Sequence, residues 1–229
     1  MKQLSTQLRT QIRTQMWTQL SAASLISTLV IVLTGCSALQ PANVPPMAVY
    51  RLDAVAPGSS PAPATATASI LVGNIRAAAG FDTSRMLFMR QPYQIEEFQQ
   101  SQWQKPPAAM LMPLVATTLE SSGIFKVVLQ APSAVLTTYR LDLEILSLQQ
   151  DFSSTPSRIH FKLRAHLSDR QSQQIIGWRE FSISIPAASE DAYGGVLASN
   201  QAVAQVLQQL RVFCVEQITQ AAQARKKQP

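Results

Sequence analysis

Hydrophobic and polar residues alternate with a period of two along three segments in the second half of the chain. These are residues 137–149, 158–169 and 174–185, and short polar stretches separate them. The alternation predicts three strands in an antiparallel meander, with one buried face and one solvated face. In the third segment the residues expected on the buried face are Ile175, Phe181, Ile183 and Ile185. Shorter apolar runs predict further strands at 47–53, 69–75, 86–89, 95–98 and 124–130.

Two other segments have the spacing of amphipathic helices. The first begins at Pro106-Pro107 and is expected to end at Ser121-Ser122-Gly123, with Pro113 kinking its first turns or moving its start later. The second covers 190–224, with acidic residues at its start and basic residues at its end, as the helix dipole prefers. The order of elements predicts an α+β fold: a single domain, largely antiparallel sheet, with two main helices packed on one face.

The first 35 residues have the organisation of a secretory signal peptide. A cationic start without acidic residues precedes an apolar run at 20–34, which is too short for a permanent membrane span of about 20 residues. The run ends in Leu33-Thr34-Gly35-Cys36, which resembles the bacterial lipobox. That resemblance implies signal-peptidase cleavage between Gly35 and Cys36 and lipidation of the Cys36 thiol. The alternative is a plain N-terminal anchor with a chance cysteine at its end.

The position after the lipidated cysteine bears on the membrane in which the protein resides. Ser37 stands there rather than the Asp that tends to retain similar lipoproteins at the inner membrane. The resemblance therefore favours the outer membrane over the inner one, with the domain facing the periplasm. Two or three acyl chains would anchor it stably, since each buried CH₂ contributes about 0.8 kcal/mol.

Charge and composition divide the rest of the chain. We assign 36–46 to a Pro-rich linker, 47–224 to the domain and 225–229 to a basic tail, with an Ala/Pro-rich flexible loop predicted at 54–68. The net charge of +6 lies entirely in the signal peptide and the tail, because 13 basic and 13 acidic residues balance within 36–224. A neutral body argues against nucleic acid as a partner.

The sequence contains few residues in patterns that indicate catalysis or metal binding. Cys214 lies on the apolar face of the second helix, which favours a buried structural thiol over a reactive one. His160 and His166 are expected on the same solvated strand face, about 20 Å apart, too far for one metal ion. No nucleophile elbow, phosphate loop or spaced Cys/His set occurs. We predict no catalytic, metal or cofactor residues, and hence no enzyme.

An ordered set of short motifs resembles the ABC-type transport auxiliary lipoprotein family, which includes the PqiC-type lipoproteins. The resemblance covers about residues 48–215, and no single motif is specific. The motifs are Val49-Tyr50-Arg51-Leu52, Arg85-Met86-Leu87-Phe88, Tyr93 to Phe98, Trp103 with Pro106-Pro107, Ser121 to Val127, Tyr139-x-Leu141 and Arg179-x-Phe181. Trp103 and Phe125 are interpreted as packing anchors rather than ligand contacts.

The resemblance implies a non-catalytic lipoprotein working with an ABC permease, its ATPase and an MCE-type substrate-binding protein. Such systems move phospholipid or other hydrophobic molecules between the inner and outer membranes, and the lipoprotein would dock their periplasmic components. Whether it forms a homo-oligomer is left open. Two alternatives are kept: an outer-membrane assembly factor associated with β-barrels, and a periplasmic enzyme, which would need a pocket with convergent polar groups.

Overall fold

The computed structural model describes residues 46–54 and 68–227, and in that part of the chain there are nine strands and two helices. The predicted signal peptide, Cys36, almost all of the linker and most of the Ala/Pro-rich segment lie outside the described residues. The strands are β1 (Ala48–Tyr50), β2 (Ala68–Val72), β3 (Arg76–Ala77), β4 (Arg85–Met89), β5 (Glu96–Trp103), β6 (Phe125–Gln130), β7 (Tyr139–Asp151), β8 (Arg158–Asp169) and β9 (Gln174–Pro186), and the helices are α1 (Pro107–Glu120) and α2 (Ala192–Lys227).

The predicted meander is the centre of the sheet. Strands β7, β8 and β9 pair antiparallel along almost their whole lengths. Their apolar side chains, such as Leu143 and Leu163, are buried beneath the helices, whereas the alternate residues face away from them. A bulge between Ile145 and Ser147 inserts a residue into β7, so the buried set continues at Leu148 instead of Ser147.

A second bulge corrects the prediction for Ile175. The register shifts between Leu167 and Ser168, so that Leu167 faces Gly177 and Ser168 faces Ile175. Because each residue of offset reverses the face of a side chain, Ile175 lies on the face away from the helices and is 63% exposed. The remaining members of the predicted set, Phe181, Ile183 and Ile185, do turn toward the core.

The other edge of β7 carries three short strands one after another. In chain order, β2, β3 and β4 each pair with it in parallel. Strand β6 extends the sheet beyond β2, and β5 and then β1 extend it beyond β4. The sheet is therefore mixed, with its long ladders antiparallel and its short ones parallel, except for the antiparallel pair of β4 and β5.

Helix α1 begins where the double proline predicts. Pro107 opens the helix, where its missing N–H costs nothing, and Ala109 N donates to Pro106 O at 2.9 Å. Pro113 lies inside the helix on its exposed side and does not displace the start. Gly123 follows the helix with φ +72°, a conformation that glycine adopts without strain.

Helix α2 covers β8 and β9 and lies against α1. Its inner face includes Val203, Leu207, Leu210 and Cys214, each 0% exposed, which confirms the predicted apolar stripe and the buried position of the thiol. Burying a leucine contributes about 1.5–3 kcal/mol, so this stripe is a principal stabilising element.

The acidic residues predicted inside the start of α2 precede it instead, and its first turn contains none. Asp191 caps the helix: its Oδ1 accepts from Gly194 N at 2.7 Å, and this bond lowers the pKa of the carboxyl. Glu190 accepts from Ser157 N at 2.9 Å and so ties the start of β8 to the helix. At the other end the helix continues to Lys227, and Arg225 forms an ion pair with Asp169.

Candidate functional site

The two residues predicted for processing, Gly35 and Cys36, lie outside the described residues, so the structure gives no geometry for them. The described residues start at Pro46, two residues before the first residue of β1. Cleavage and lipidation at this position remain predictions. No helix in 46–54 or 68–227 is both long enough and apolar enough to cross a membrane.

The titratable side chains of the described residues do not assemble into a metal-binding group. No cluster of three or more His, Cys, Asp or Glu side chains there could hold a metal ion. Burial raises the pKa of the Cys214 thiol to about 12, which leaves it protonated and unreactive. His160 lies with its Nε2 3.5 Å from Asp151 Oδ2, a carboxylate neighbour that the sequence did not predict.

Among the described residues, no element covers the side of β7–β9 that faces away from both helices. We call it the open face. Its residues are Arg140, Asp142 and Glu144 on β7, Arg158, His160, Lys162, Arg164 and His166 on β8, and Trp178, Glu180, Ser182 and Ser184 on β9. Both histidines are on this face, as predicted.

Most charges of the open face are paired with one another. Arg164 bridges three strands, with its guanidinium 3.4 Å from Glu144 Oε2 and 3.2 Å from Glu180 Oε2. Arg140 donates from Nε and Nη2 to the carboxylate of Asp142 at 2.8–3.0 Å, and this hydrogen bonding raises the pKa of the arginine. The open face is therefore polar and nearly neutral, with charges of both signs next to one another.

A groove of about 960 Å³ opens at the end of this face where β7 begins. Its lining residues come from seven parts of the fold: Leu71, Asn74, Arg76, Ala131, Pro132, Ser133, Arg140, Asp142, His166, Ser168 and Ile175. Gly73 lies beside it, and a Cβ at that position would collide with the Asp142 carboxylate. The groove combines the buried apolar side chain of Leu71 with cationic, acidic and amide groups.

Two large apolar side chains stand on the open face beside this groove. Ile175 is 63% exposed and Trp178, which faces His166 in the register, is 65% exposed. Tryptophan and arginine are over-represented among residues that dominate binding energy at protein interfaces. The sequence pattern did not identify either residue as a surface group, although Gly177 between them is a typical mark of a bulge.

A smaller depression of about 450 Å³ lies between β1, β5 and the start of α2. Tyr50 and Tyr193 flank it with their ring centroids 6.2 Å apart. The acidic residues in its wall, Glu190 and Asp191, are already bound to backbone N–H groups. This depression is therefore mainly part of the packing of α2 against the sheet.

These features define a class of protein: an α+β domain with a helix-covered core and a broad polar sheet face. Residues 50–211 match the family described as ABC-type transport auxiliary lipoprotein component. The match covers more than half of the chain, and the chain belongs to this family. This match confirms the family resemblance predicted from the sequence. Membership in the family implies a lipid-anchored location in the cell envelope.

Solved structures show the same fold. Protein XCC0632 from Xanthomonas campestris is 23% identical, with a TM-score of 0.66 over 76% of this chain and 99% of that one. An uncharacterized protein is 11% identical, with a TM-score of 0.59 over 74% and 99% of the respective chains. At these identities the likeness concerns the fold alone. No curated protein matches the chain.

Proposed function

We propose that this protein is a non-catalytic outer-membrane lipoprotein that docks periplasmic components of an ABC-type transport system. The acyl chains on Cys36 hold it at the periplasmic face of the outer membrane. The partners are an MCE-type substrate-binding protein and the permease and ATPase that energise it, and the cargo is a lipid or another hydrophobic molecule. Membership in the auxiliary lipoprotein family supports the transport role.

The observation that carries the docking role is the open face with Trp178 and Ile175. Elsewhere β7–β9 bury their apolar side chains under α2, yet these two are more than 60% exposed. They adjoin a groove that presents Arg76 and His166. An apolar centre surrounded by polar and cationic groups is the usual anatomy of a protein interface.

Site-specific photocrosslinking in the native envelope tests this role. A photoreactive residue replaces Trp178, and a matched one replaces Gln205, an exposed residue of α2 on the helix-covered side. We expect adducts with an MCE-type or permease component from position 178 and none from position 205. Adducts with an outer-membrane barrel would favour the assembly-factor alternative, and the absence of any adduct at position 178 would contradict docking through the open face.

The anchor is tested separately through the two cysteines. Cys36→Ala is expected to leave an unprocessed precursor without acyl chains, because the thiol that accepts the lipid is gone. Cys214→Ala is the matched control, since that thiol is buried and protonated and its variant should mature normally. Mass spectrometry of the isolated chains measures both, and acylated, cleaved Cys36→Ala protein would disprove the assignment.

A further inference from the structure

Four large apolar side chains are exposed around the start of β1. Met47 and Ile95 are each 50% exposed, Val49 is 54% exposed and Tyr93 is fully exposed. We propose that this edge, formed by the start of β1 and the β4–β5 turn (residues 90–95), contacts the lipid headgroups of the leaflet that holds the anchor. The inference rests on the proposed lipid anchor at Cys36.

The strand register places the β4–β5 turn and the start of β1 at the same end of the sheet. Val49 is level with Gln102, which pairs with Arg85 at the beginning of β4. The pair Phe88 and Glu96 flanks the β4–β5 turn. This pair lies three residues beyond Arg85 along β4, a distance of about 10 Å. Since β1 runs parallel to β5, its preceding residue Met47 is displaced toward the turn by about 7 Å.

The β4–β5 turn is built to present an uncharged, amphipathic tip. Arg90 and Glu96 neutralise each other at 2.8 Å, and residues 91–95 between them carry no charge. Tyr93 has φ +69°, a left-handed conformation that is uncommon and strained for a bulky residue. The strained backbone holds an aromatic ring wholly in solvent, and tyrosine is enriched at the level of lipid headgroups.

The length of chain before β1 favours this end over the opposite one. Nine residues lie between Cys36 and Pro46, and these ten residue-to-residue steps can span at most about 35 Å. The edge around Met47 needs little of that reach. The loop 131–138 before β7 also exposes apolar groups, with Leu136 84% exposed, but it lies at the other end of β7, which at 13 residues is about 40 Å long.

Depth-dependent quenching on vesicles tests the contact with the mature, lipidated chain. Tyr93→Cys provides a single reactive thiol, because Cys36 is acylated in this protein and Cys214 is buried. A fluorophore sensitive to polarity is attached, and the chain is reconstituted on vesicles of phosphatidylethanolamine and phosphatidylglycerol that contain a spin-labelled lipid. We expect a blue-shifted emission and several-fold stronger quenching at position 93 than at the same label on Leu136→Cys.

Leu136→Cys is the matched control, since it is also an exposed apolar residue in an uncharged loop. Equal, weak quenching at both positions would overturn the contact, and stronger quenching at position 136 would place the opposite end against the membrane. Flotation of the same vesicles separates this inference from the anchor. A chain that fails to float removes the anchor and the contact together, whereas a floating chain without quenching at position 93 removes only the contact.

Discussion

On β8, neighbouring residues occupy two different environments. Leu163 is 0% exposed between Ile145 and Phe181 under α2, whereas Lys162 points to solvent on the open face. The buried face is held together by close packing, and the open face by hydrogen bonds and ion pairs that water can replace. The difference indicates that the buried face stabilises the domain, whereas the open face contributes much less to its stability.

The largest effect is expected from Leu163→Ala. Removing the side chain leaves a cavity in the closely packed core, so the free energy of unfolding should fall by about 2–5 kcal/mol. Lys162→Ala, one residue away on the open face, should change it by less than about 0.5 kcal/mol. Urea denaturation followed by circular dichroism measures both, and comparable losses would contradict the division into two faces.

The second largest decrease in the free energy of unfolding is expected from Arg225→Met at the end of α2. Its partner Asp169 is on the buried side of β8 and also accepts from Gln171 N at 2.8 Å. Loss of the guanidinium removes one partner of the buried Asp169 carboxylate. The free energy of unfolding should therefore fall by about 1–3 kcal/mol. Glu216→Gln is the control, because it breaks a pair with Arg179 that is nearly half exposed and should cost at most about 1 kcal/mol. Equal losses in the two variants would show that burial of Asp169 is unimportant.

A smaller, pH-dependent decrease in the free energy of unfolding is expected when Asp191 is replaced. Its hydrogen bond from Gly194 N lowers the pKa of the carboxyl in the folded state, so the stabilisation is present above the unfolded pKa of about 3.9. It is lost as the pH falls through the lower, folded pKa. Asp191→Ala should therefore cost about 1 kcal/mol at neutral pH and less in strong acid, where only the weaker cap of the neutral carboxyl is lost.

Asp191→Asn provides the control for the charge, since asparagine caps helices almost as well as aspartate. This variant should retain most of the stability at neutral pH and lose the acid dependence that Asp191 contributes. Thermal unfolding across acidic to neutral pH follows both variants. A constant difference between wild type and Asp191→Ala at all pH values would contradict the assignment of the cap.

The period-two pattern predicted β8 at its observed bounds, because one face of that strand is wholly buried and the other wholly polar. It could not predict that β2, β3 and β4 line up along β7, since parallel pairing depends on contacts between residues far apart in the chain. The groove lined by Arg76 and Pro132 therefore could not be predicted from the sequence. Ile175 was wrongly assigned to the core because the bulge opposite Ser168 reverses the alternation.

The smallest effect is expected at the centre of the open face. Arg164→Met removes the bridge to Glu144 and Glu180, but all three side chains are more than a quarter exposed, so water can replace the lost contacts. The free energy of unfolding should change by at most about 1 kcal/mol, and less at high salt, where exposed ion pairs are screened. Denaturation at low and high salt measures this, with Lys162→Met as the control because that lysine has no ion-pair partner among the described residues. If Arg164→Met were as damaging as Leu163→Ala, the open face would be a second structural core, and its role as a free docking surface would have to be abandoned.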